Sequence, residues 1–392
     1  MKQEYRTCRI ADIAEKVAMG PFGSNIKVET FVPAGVPIIS GAHLKGFYVE
    51  EDSFNYITEE HAQRLKNSIV YPGDIIFTHA GNVGQVAMIP YDCHYPFYMI
   101  SQRQFYLRCD KKKVLPEYLV YYFHSHEGQG KLLSNVSQVG VPSIAQPSSF
   151  LKTIEVPLPS LETQRRIVGI LDSFTKKIEV NNRINRNLEE QMQAIYKEFA
   201  DNSKNKVPLH DLCSYANEKI LVSNLNANNY FSTENILPNK AGAVDASALS
   251  TCSMTTKVQP GDILVSNIRP YFKKILFCAT HGGCSPDVLC FRPHNPSYSS
   301  YLYCSLYSDT FFDYMMSGAK GTKMPRGDKN HIMSYLISMP DKPDIIIFNS
   351  IVVPIMQECI QNRKENNMLS NLLDTLLPIV FEKESIEKKI GF

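Results

Sequence analysis

The stretch TQRRIVGILDSFTKKIEVNNRINRNLEEQMQAIYKEFA, Thr163–Ala200, decides the fold. Its apolar residues step through Ile167, Leu171, Phe174, Ile178, Leu188, Met192, Ile195 and Phe199 by alternating fours and threes, with Asn181 and Asn185 in the two remaining seam places. A seam sustained this long reads as a heptad helix. The rhythm returns as Val352, Ile355, Cys359, Asn362, Asn366, Leu369, Leu373, Leu376 and Val380. Asn181 and Asn362 are 181 residues apart, as are Asn185 and Asn366, so phase and polar interruptions repeat together. Each helix should run for about 35 to 38 residues, or on the order of 50 to 57 Å. Globular helices average about 11 or 12 residues, so these read as spacers. Pro354 should sit in the opening turns of the second helix and Pro378 near its end, where neither breaks the seam.

Outward from the helices, the rest of the chain also occurs twice. Arg9-Ile-Ala-Asp-Ile13 opens one unit and Pro208-Leu-His-Asp-Leu212 another. Tyr71-Pro-Gly-Asp-Ile-Ile76 returns as Gln259-Pro-Gly-Asp-Ile-Leu264, a turn feeding a strand each time. Val141-Pro-Ser-Ile144 pairs with Met324-Pro-Arg-Gly327. The offset falls from 199 at Asp12/Asp211 to 188 at Gly73/Gly261, 183 at Pro142/Pro325 and 181 along the helices, so the second copy is shorter in its loops. Between the landmarks lie short β-rich runs such as Val36–Ser40, Ile75–Thr78 and Gln102–Leu107, broken by Gly and Pro. The expected fold is α+β. Two mostly β globular domains, 1–158 and 204–343, alternate with two long helices, 159–203 and 344–392, which pair as an antiparallel coiled coil in a pseudo-twofold repeat.

The chain has 392 residues, 44% of them hydrophobic, enough for more than one core. Met1–Lys16 is polar, and no run approaches the roughly 18 to 20 apolar residues of a membrane span, so no membrane partner and a cytoplasmic location are expected. Ten cysteines include no Cys-x-x-Cys pair, and Cys278, Cys284 and Cys290 suit strands better than zinc ligands; no metal site is expected. Net charge is +2, with 15 basic against 15 acidic residues before Ser160 and 13 against 11 between Lys206 and Ile345. Bulk charge therefore does not point to a polyanion.

Catalytic signatures are absent. Asn295-Pro-Ser-Tyr298 approaches an amino-methyltransferase motif, but it follows Phe291-Arg-Pro-His294 as a strand leaving into a turn, and no glycine-rich cofactor loop accompanies it. Gly81 and Gly84 fall short of a dinucleotide or P-loop fingerprint. Pro286-Asp287 lacks the Glu-x-Lys partner of a nuclease. No catalytic residue is assigned.

The arrangement of globule, long helix, globule, long helix, with Pro157-Leu-Pro-Ser-Leu-Glu-Thr-Gln-Arg-Arg-Ile167 leading into the first helix, resembles the specificity subunits of type I restriction-modification enzymes. Further residues carry the resemblance: Gly20-Pro-Phe-Gly-Ser-Asn25, Gly81-Asn-Val-Gly84, Ile268-Arg-Pro-Tyr271, Gly283-Cys-Ser-Pro-Asp287, Gly321-Thr-Lys-Met-Pro-Arg-Gly-Asp328 and Leu376-Leu-Pro378. The resemblance implies a non-catalytic subunit whose two target-recognition domains each read half of a bipartite, asymmetric site on double-stranded DNA. The helices then set the spacing and dock two methyltransferase subunits, restriction/translocase subunits complete the complex, and S-adenosylmethionine sits on the methyltransferase partner. The second helix has no Gln equivalent to Gln164, a departure that bears on any partner contact there. The rival from another class is a two-headed scaffold binding proteins or peptides across a helical spacer.

For DNA contact, the second domain offers Asn267, Arg269, Tyr271, Lys273 and Lys274 just past the Pro-Gly-Asp turn, and the basic loop Lys320, Lys323, Arg326 and Lys329. Long donors mixed with an aromatic are the residue types that reach base edges and phosphates. The matching places of the first domain hold His79, Asn82, Gln85, Gln138 and Ser143, with Gln102, Arg103 and Gln104 nearby and Ser24 and Asn25 from the resemblance. The expected helix seam comprises Leu171, Phe174, Ile178, Asn181, Asn185, Leu188 and Met192 against Ile355, Asn362, Asn366, Leu369 and Leu373, with the asparagines forming one polar layer where the helices cross.

Overall fold

The computed structural model describes residues 6–137 and 140–381, the side chain of Ser24 excepted. They form two compact units, 6–176 with 369–381, and Lys177–Met368. The division falls inside both long helices, Leu161–Asn202 of 42 residues and Lys342–Phe381 of 40, each slightly longer than its seam suggests.

In the first unit, strands Ala14–Met19, Gln104–Cys109, Ile75–Thr78 and Val86–Met88 form an antiparallel sheet in that order. A second sheet runs Asn55–Ile57, Val36–Ile39, Tyr98–Ile100 and Ile69–Val70, its central pair parallel. Alternation along each strand decides what lies where. Ile76, Ala87 and Tyr106 pack against Ile39, Val70, Tyr98 and Ile100 of the facing sheet, while Phe77 turns the other way to meet Phe123 of the helix Pro116–His124.

The second unit repeats this plan. Cys213–Tyr215, Val288–Pro293, Ile263–Ser266 and Ile275–Phe277 form the first sheet, and Lys219–Leu221, Met254–Val258, Gly282–Cys284 and Tyr230–Phe231 the second. Leu264, Val288 and Cys290 face the second sheet, and Ile263, Val265, Leu289 and Phe291 face the helix Ser299–Tyr307. Cys284 and Cys290 lie in strands, Cys278 directly after one, and all three are buried free thiols. The copies differ at one sheet edge. Each second sheet contains a parallel pair, Val36–Ile39 with Tyr98–Ile100 and Tyr230–Phe231 with Gly282–Cys284, plus an antiparallel third strand, Ile69–Val70 or Met254–Val258. The fourth strand joins opposite edges, Asn55–Ile57 beside Val36–Ile39 but Lys219–Leu221 beside Met254–Val258.

Within the second unit the long helices run antiparallel: Asn181 meets Asn366, Asn185 meets Asn362, and the Phe199 ring lies 5.5 Å from Phe348. The asparagines form the expected layer. Asn181 Nδ2 donates to Asn366 Oδ1 and Asn362 Nδ2 to Asn185 Oδ1, both at 2.9 Å, and the 181-residue repeat exchanges one bond for the other. Leu171, Met192 and Leu373 are buried, and Phe174, Ile178, Leu188, Ile355 and Leu369 are partly so. In the second helix Val352, Cys359, Asn362, Asn366 and Leu373 keep the expected seam, while Met356, Leu377 and Phe381 are buried in place of Ile355, Leu376 and Val380. Beyond Leu373 the buried residues step by four, the direction in which an α-helix of 3.6 residues per turn drifts past a strict heptad.

Two expectations need correction, and the contacts of Gln164 give it a role within its own unit. The second helix begins at Lys342, so Pro354 lies about three turns inside it, not in its opening turns. Its side chain is on the exposed face. Gln164 is fully buried: its amide accepts from Leu115 N at 2.8 Å and donates to Pro159 O at 2.9 Å, fastening the helix start to its own domain. Its repeat counterpart, Ile345, does the same work by apolar burial in the second core. The second helix also contains an 18-residue window of mean hydropathy 1.4, which by length and composition alone suffices to cross a membrane. Polar Asn349, Ser350 and Gln357 punctuate that region and hide the average from a search for unbroken runs, and Ile345, Phe348, Val352 and Met356 belong to the second unit's core.

Candidate nucleic-acid interface

The Pro-Gly-Asp turn begins each site, because it fixes the strand whose far end carries the loops. Asp74 and Asp262 are 2% and 1% exposed. Each carboxylate closes its own turn, accepting from Tyr71 N at 2.9 Å or Gln259 N at 2.8 Å. Each also takes a two-pronged guanidinium from the neighbouring strand, Arg108 at 2.8 and 2.6 Å and Arg292 at 3.0 and 2.8 Å. Such fork geometry makes these strong charge-assisted bonds. Neither arginine is apparent from the turn motif; the signal for them is their own separation of 184, between the offsets of 188 and 183 on either side.

From the opposite end of the same strands, the same three connections emerge in both units. His79 N donates to Arg103 O at 3.0 Å, and Asn267 N to Asp287 O at 2.8 Å. Gly81 N donates to Pro142 O at 3.2 Å, and Arg269 N to Pro325 O at 2.8 Å. Ala80 bridges Ser143, and Ile268 bridges Arg326. The two sequence landmarks are thus brought together into one junction per unit, with different side chains at equivalent places.

In the first unit the junction gathers His79, Asn82, Gln102, Arg103 and Ser143; Asn82, Gln102 and Arg103 are exposed and His79 and Ser143 partly buried. Burial lowers the His79 pKa from its usual value, keeping the ring neutral near pH 7. Its Nε2 lies 3.2 Å from Gln102 O, a carbonyl that only accepts, so Nε2 carries the proton and Nδ1 remains an acceptor. Asn25 is exposed in the turn Gly23–Asn25, on a segment leaving the same sheet end, where Gly20 N donates to Gln104 O at 2.8 Å. Gln138 lies outside the described residues. Two candidates point inward instead. Gln85 donates to Gly41 O and Leu44 O at 3.0 and 3.2 Å. Gln104 is 1% exposed and bonded to Ser101 and Thr78. The element boundary explains this: Gln102 lies in the exposed turn, whereas Gln104 is the first residue of a buried strand.

The second junction is cationic. Lys320, Lys323, Arg326 and Lys329 are exposed, as is Tyr271, while Asn267, Arg269, Lys273 and Lys274 are partly buried. Lys274 Nζ is turned onto Thr233 O, and its burial lowers its pKa. Three cations have carboxylate partners: Arg326 with Asp287 at 3.2 Å, Lys273 with Asp309 at 3.0 Å and Lys320 with Asp328 at 2.7 Å. Lys320, followed by the amide of His331, pushes Asp328 down to about 2. Lys329 lies 5.6 Å from the Tyr215 ring centre. Arg269 and Lys323 have no acidic partner within 4 Å among the described residues. Arg269 also occupies the left-handed backbone region, φ 50°, where its counterpart in the first unit is Gly81 at φ 85°. Its Nε is buried and unpartnered among the described residues, as is Asn267 Oδ1.

Comparison with known proteins reaches the whole chain. The type I restriction modification DNA specificity domain matches residues 2–190. The type I restriction enzyme MjaIX specificity subunit of Methanocaldococcus jannaschii is 23% identical over 423 aligned positions, covering 98% of this chain and 95% of that subunit. A further subunit of that archaeon, named provisionally as the MjaX specificity subunit, is 24% identical over 196, covering 47% of this chain and 44% of its own length. In fold, the chain is similar to the crystal structure of the S subunit of a type I restriction-modification system from M. genitalium, with TM-score 0.58, 15% identity and coverage of 97% and 96%.

Proposed function

We propose that this chain, whose residues 2–190 match the type I restriction modification DNA specificity domain and which aligns along 98% of its length with the MjaIX specificity subunit, is the DNA sequence-recognition subunit of a type I restriction-modification enzyme. Each unit reads one half of a bipartite, asymmetric site on double-stranded DNA through its own junction. The observation that carries this reading is the repeated junction itself: the same backbone bonds hold His79, Arg103 and Ser143 in one unit and Asn267, Asp287 and Arg326 in the other. A fixed frame with exchanged polar side chains is the arrangement by which one scaffold acquires two specificities.

The long helices serve as the spacer and the docking element for two methyltransferase subunits, and restriction/translocase subunits join the same cytoplasmic complex. Methyl transfer and its cofactor, S-adenosylmethionine, belong to the methyltransferase partner, and this chain contributes no catalytic group. The near-neutral net charge of +2 fits shared responsibility for the phosphate backbone, since counterion release dominates most protein–DNA affinity. A two-headed protein-binding scaffold gains no support from the family. A mobility-shift assay on duplex DNA, with and without the methyltransferase subunits, tests the proposal. Sequence-specific binding that appears or tightens with the partner is expected, and absence of sequence-specific binding by the complex would contradict it.

A further inference from the structure

Across one pair of equivalent places the two junctions carry an arginine on opposite sides. Residues 103 and 287 are equivalent, since each carbonyl accepts the same bond, from His79 N at 3.0 Å and Asn267 N at 2.8 Å. Residues 143 and 326 are equivalent, since they bridge Ala80 and Ile268. Across this pair of places the first unit has Arg103 and Ser143, and the second has Asp287 and Arg326. The arginine has changed sides, and the place it left holds the carboxylate that now grips it at 3.2 Å.

Arg326 is also the most constrained of the exposed cations. Its backbone exchanges both bonds with Lys320, at 2.9 and 3.0 Å, and bridges Ile268 on its other side. The flanking Gly327 N donates to Asn267 O at 3.2 Å. The side chain remains 56% exposed while Asp287 holds one of its terminal nitrogens. A planar fork held in one orientation on paired backbone suits bidentate recognition of a base edge, for which guanine O6 and N7 are the usual partners of arginine. Phosphate contacts need no such constraint, and Lys323, exposed in the adjoining loop, is a side chain of that kind. Arg103 is likewise exposed, beside Gly81, where an added Cβ would come within 3.4 Å of its Nη1.

We infer that Arg103 and Arg326 are the guanine-reading residues of the two half-sites, delivered from opposite sides of one repeated junction, and that Asp287 is a positioning residue for Arg326. The inference rests on the DNA-recognition reading above and deepens it. The test uses the full chain co-expressed with its methyltransferase subunits, with methylated sites read by sequencing. Arg326→Ala is expected to relax one G·C position in one half-site by roughly 5- to 150-fold, the discrimination of one bidentate pair, leaving the other half-site intact. Arg103→Ala should do the same in the other half. Arg326→Lys, which retains charge without the fork, should relax the same position as Arg326→Ala. Asp287→Asn should relax that position too, by a smaller factor, with total methylation retained. Equal loss at all sites, rescue by Arg326→Lys, relaxation of the same half-site by both arginine variants, or a wild-type motif in Asp287→Asn would overturn the inference while leaving the DNA-recognition reading intact. A wild-type complex with no methylated motif would instead remove that reading, and this inference with it.

Discussion

The two units share a frame and differ at its tip. At one end of the central sheet both carry a buried aspartate clamped by an arginine, Asp74 with Arg108 and Asp262 with Arg292, with nearly the same distances. At the other end one presents neutral His79, Asn82 and Gln102 with a single arginine, and the other presents a cationic loop partly balanced by three aspartates. Burial accounts for the contrast. A carboxylate at 1–2% exposure tolerates little substitution, because any change removes two bonds from its guanidinium partner and one from a turn amide, whereas an exposed loop residue changes at small cost to stability. The end that is expensive to alter is the conserved plan of the repeat within this chain, and the inexpensive end is where the halves have diverged.

The largest expected effect probes the frame. Asp74→Ala and Asp262→Ala each remove the acceptor of a two-pronged guanidinium and of a turn amide, and breaking such a pair costs about 3–5 kcal/mol. Denaturant unfolding of the two variants should give similar losses; a tolerated change in one unit alone would break the equivalence. The asparagine layer sharpens the comparison at a smaller scale. Asn362→Ala leaves Asn185 Oδ1 buried without its donor and should cost about 1–3 kcal/mol. Asn181→Ala strands Asn366 Oδ1 in the same way and also frees Glu365, but it removes Asn181 Oδ1, which is unpartnered among the described residues, so it should cost somewhat less. Calorimetric melting of both proteins reads the difference.

Smaller still is the strain at residue 269. Glycine at the equivalent place, Gly81, adopts its positive φ freely, whereas Arg269 pays for it, so Arg269→Gly should be as stable as the parent or up to about 1 kcal/mol more stable. DNA binding should weaken in the same variant. Binding that is unchanged would mean the strained residue serves no contact. The smallest effect separates the tips by their salt response: Lys323→Ala should reduce the salt slope of binding by about 1, and Gln102→Ala should leave it unaltered. Affinity measured across a salt series distinguishes them.

Much of the frame was legible because repetition makes weak signals mutually supporting. The helix seam, its paired asparagines and the Pro-Gly-Asp turns are local patterns, and two copies at related offsets fix their meaning. What escaped depends on contacts across the chain. Arg108 lies 34 residues from Asp74 and Arg292 lies 30 from Asp262, so no turn motif announces them. Gln164 stood out in the sequence only as part of the helix lead-in, and its amide bonds backbone groups at 113–115 and 159, which no local pattern reveals. At the tips, residue type identified candidates without giving direction: Gln85 and Gln104 carry the same amide as Gln102 but face inward. Asp287 drew notice as part of the Gly283–Asp287 resemblance and as a carboxylate without nuclease partners, not as a partner of Arg326, which lies 39 residues later.

The central claim is that each unit reads its own half of the site. It is tested most directly by exchanging residues 1–158 for the first domain of another specificity subunit and sequencing the methylated sites of the assembled enzyme. The account predicts a motif in which one half is replaced and the other half is retained. A motif altered in both halves, or in neither, would contradict it.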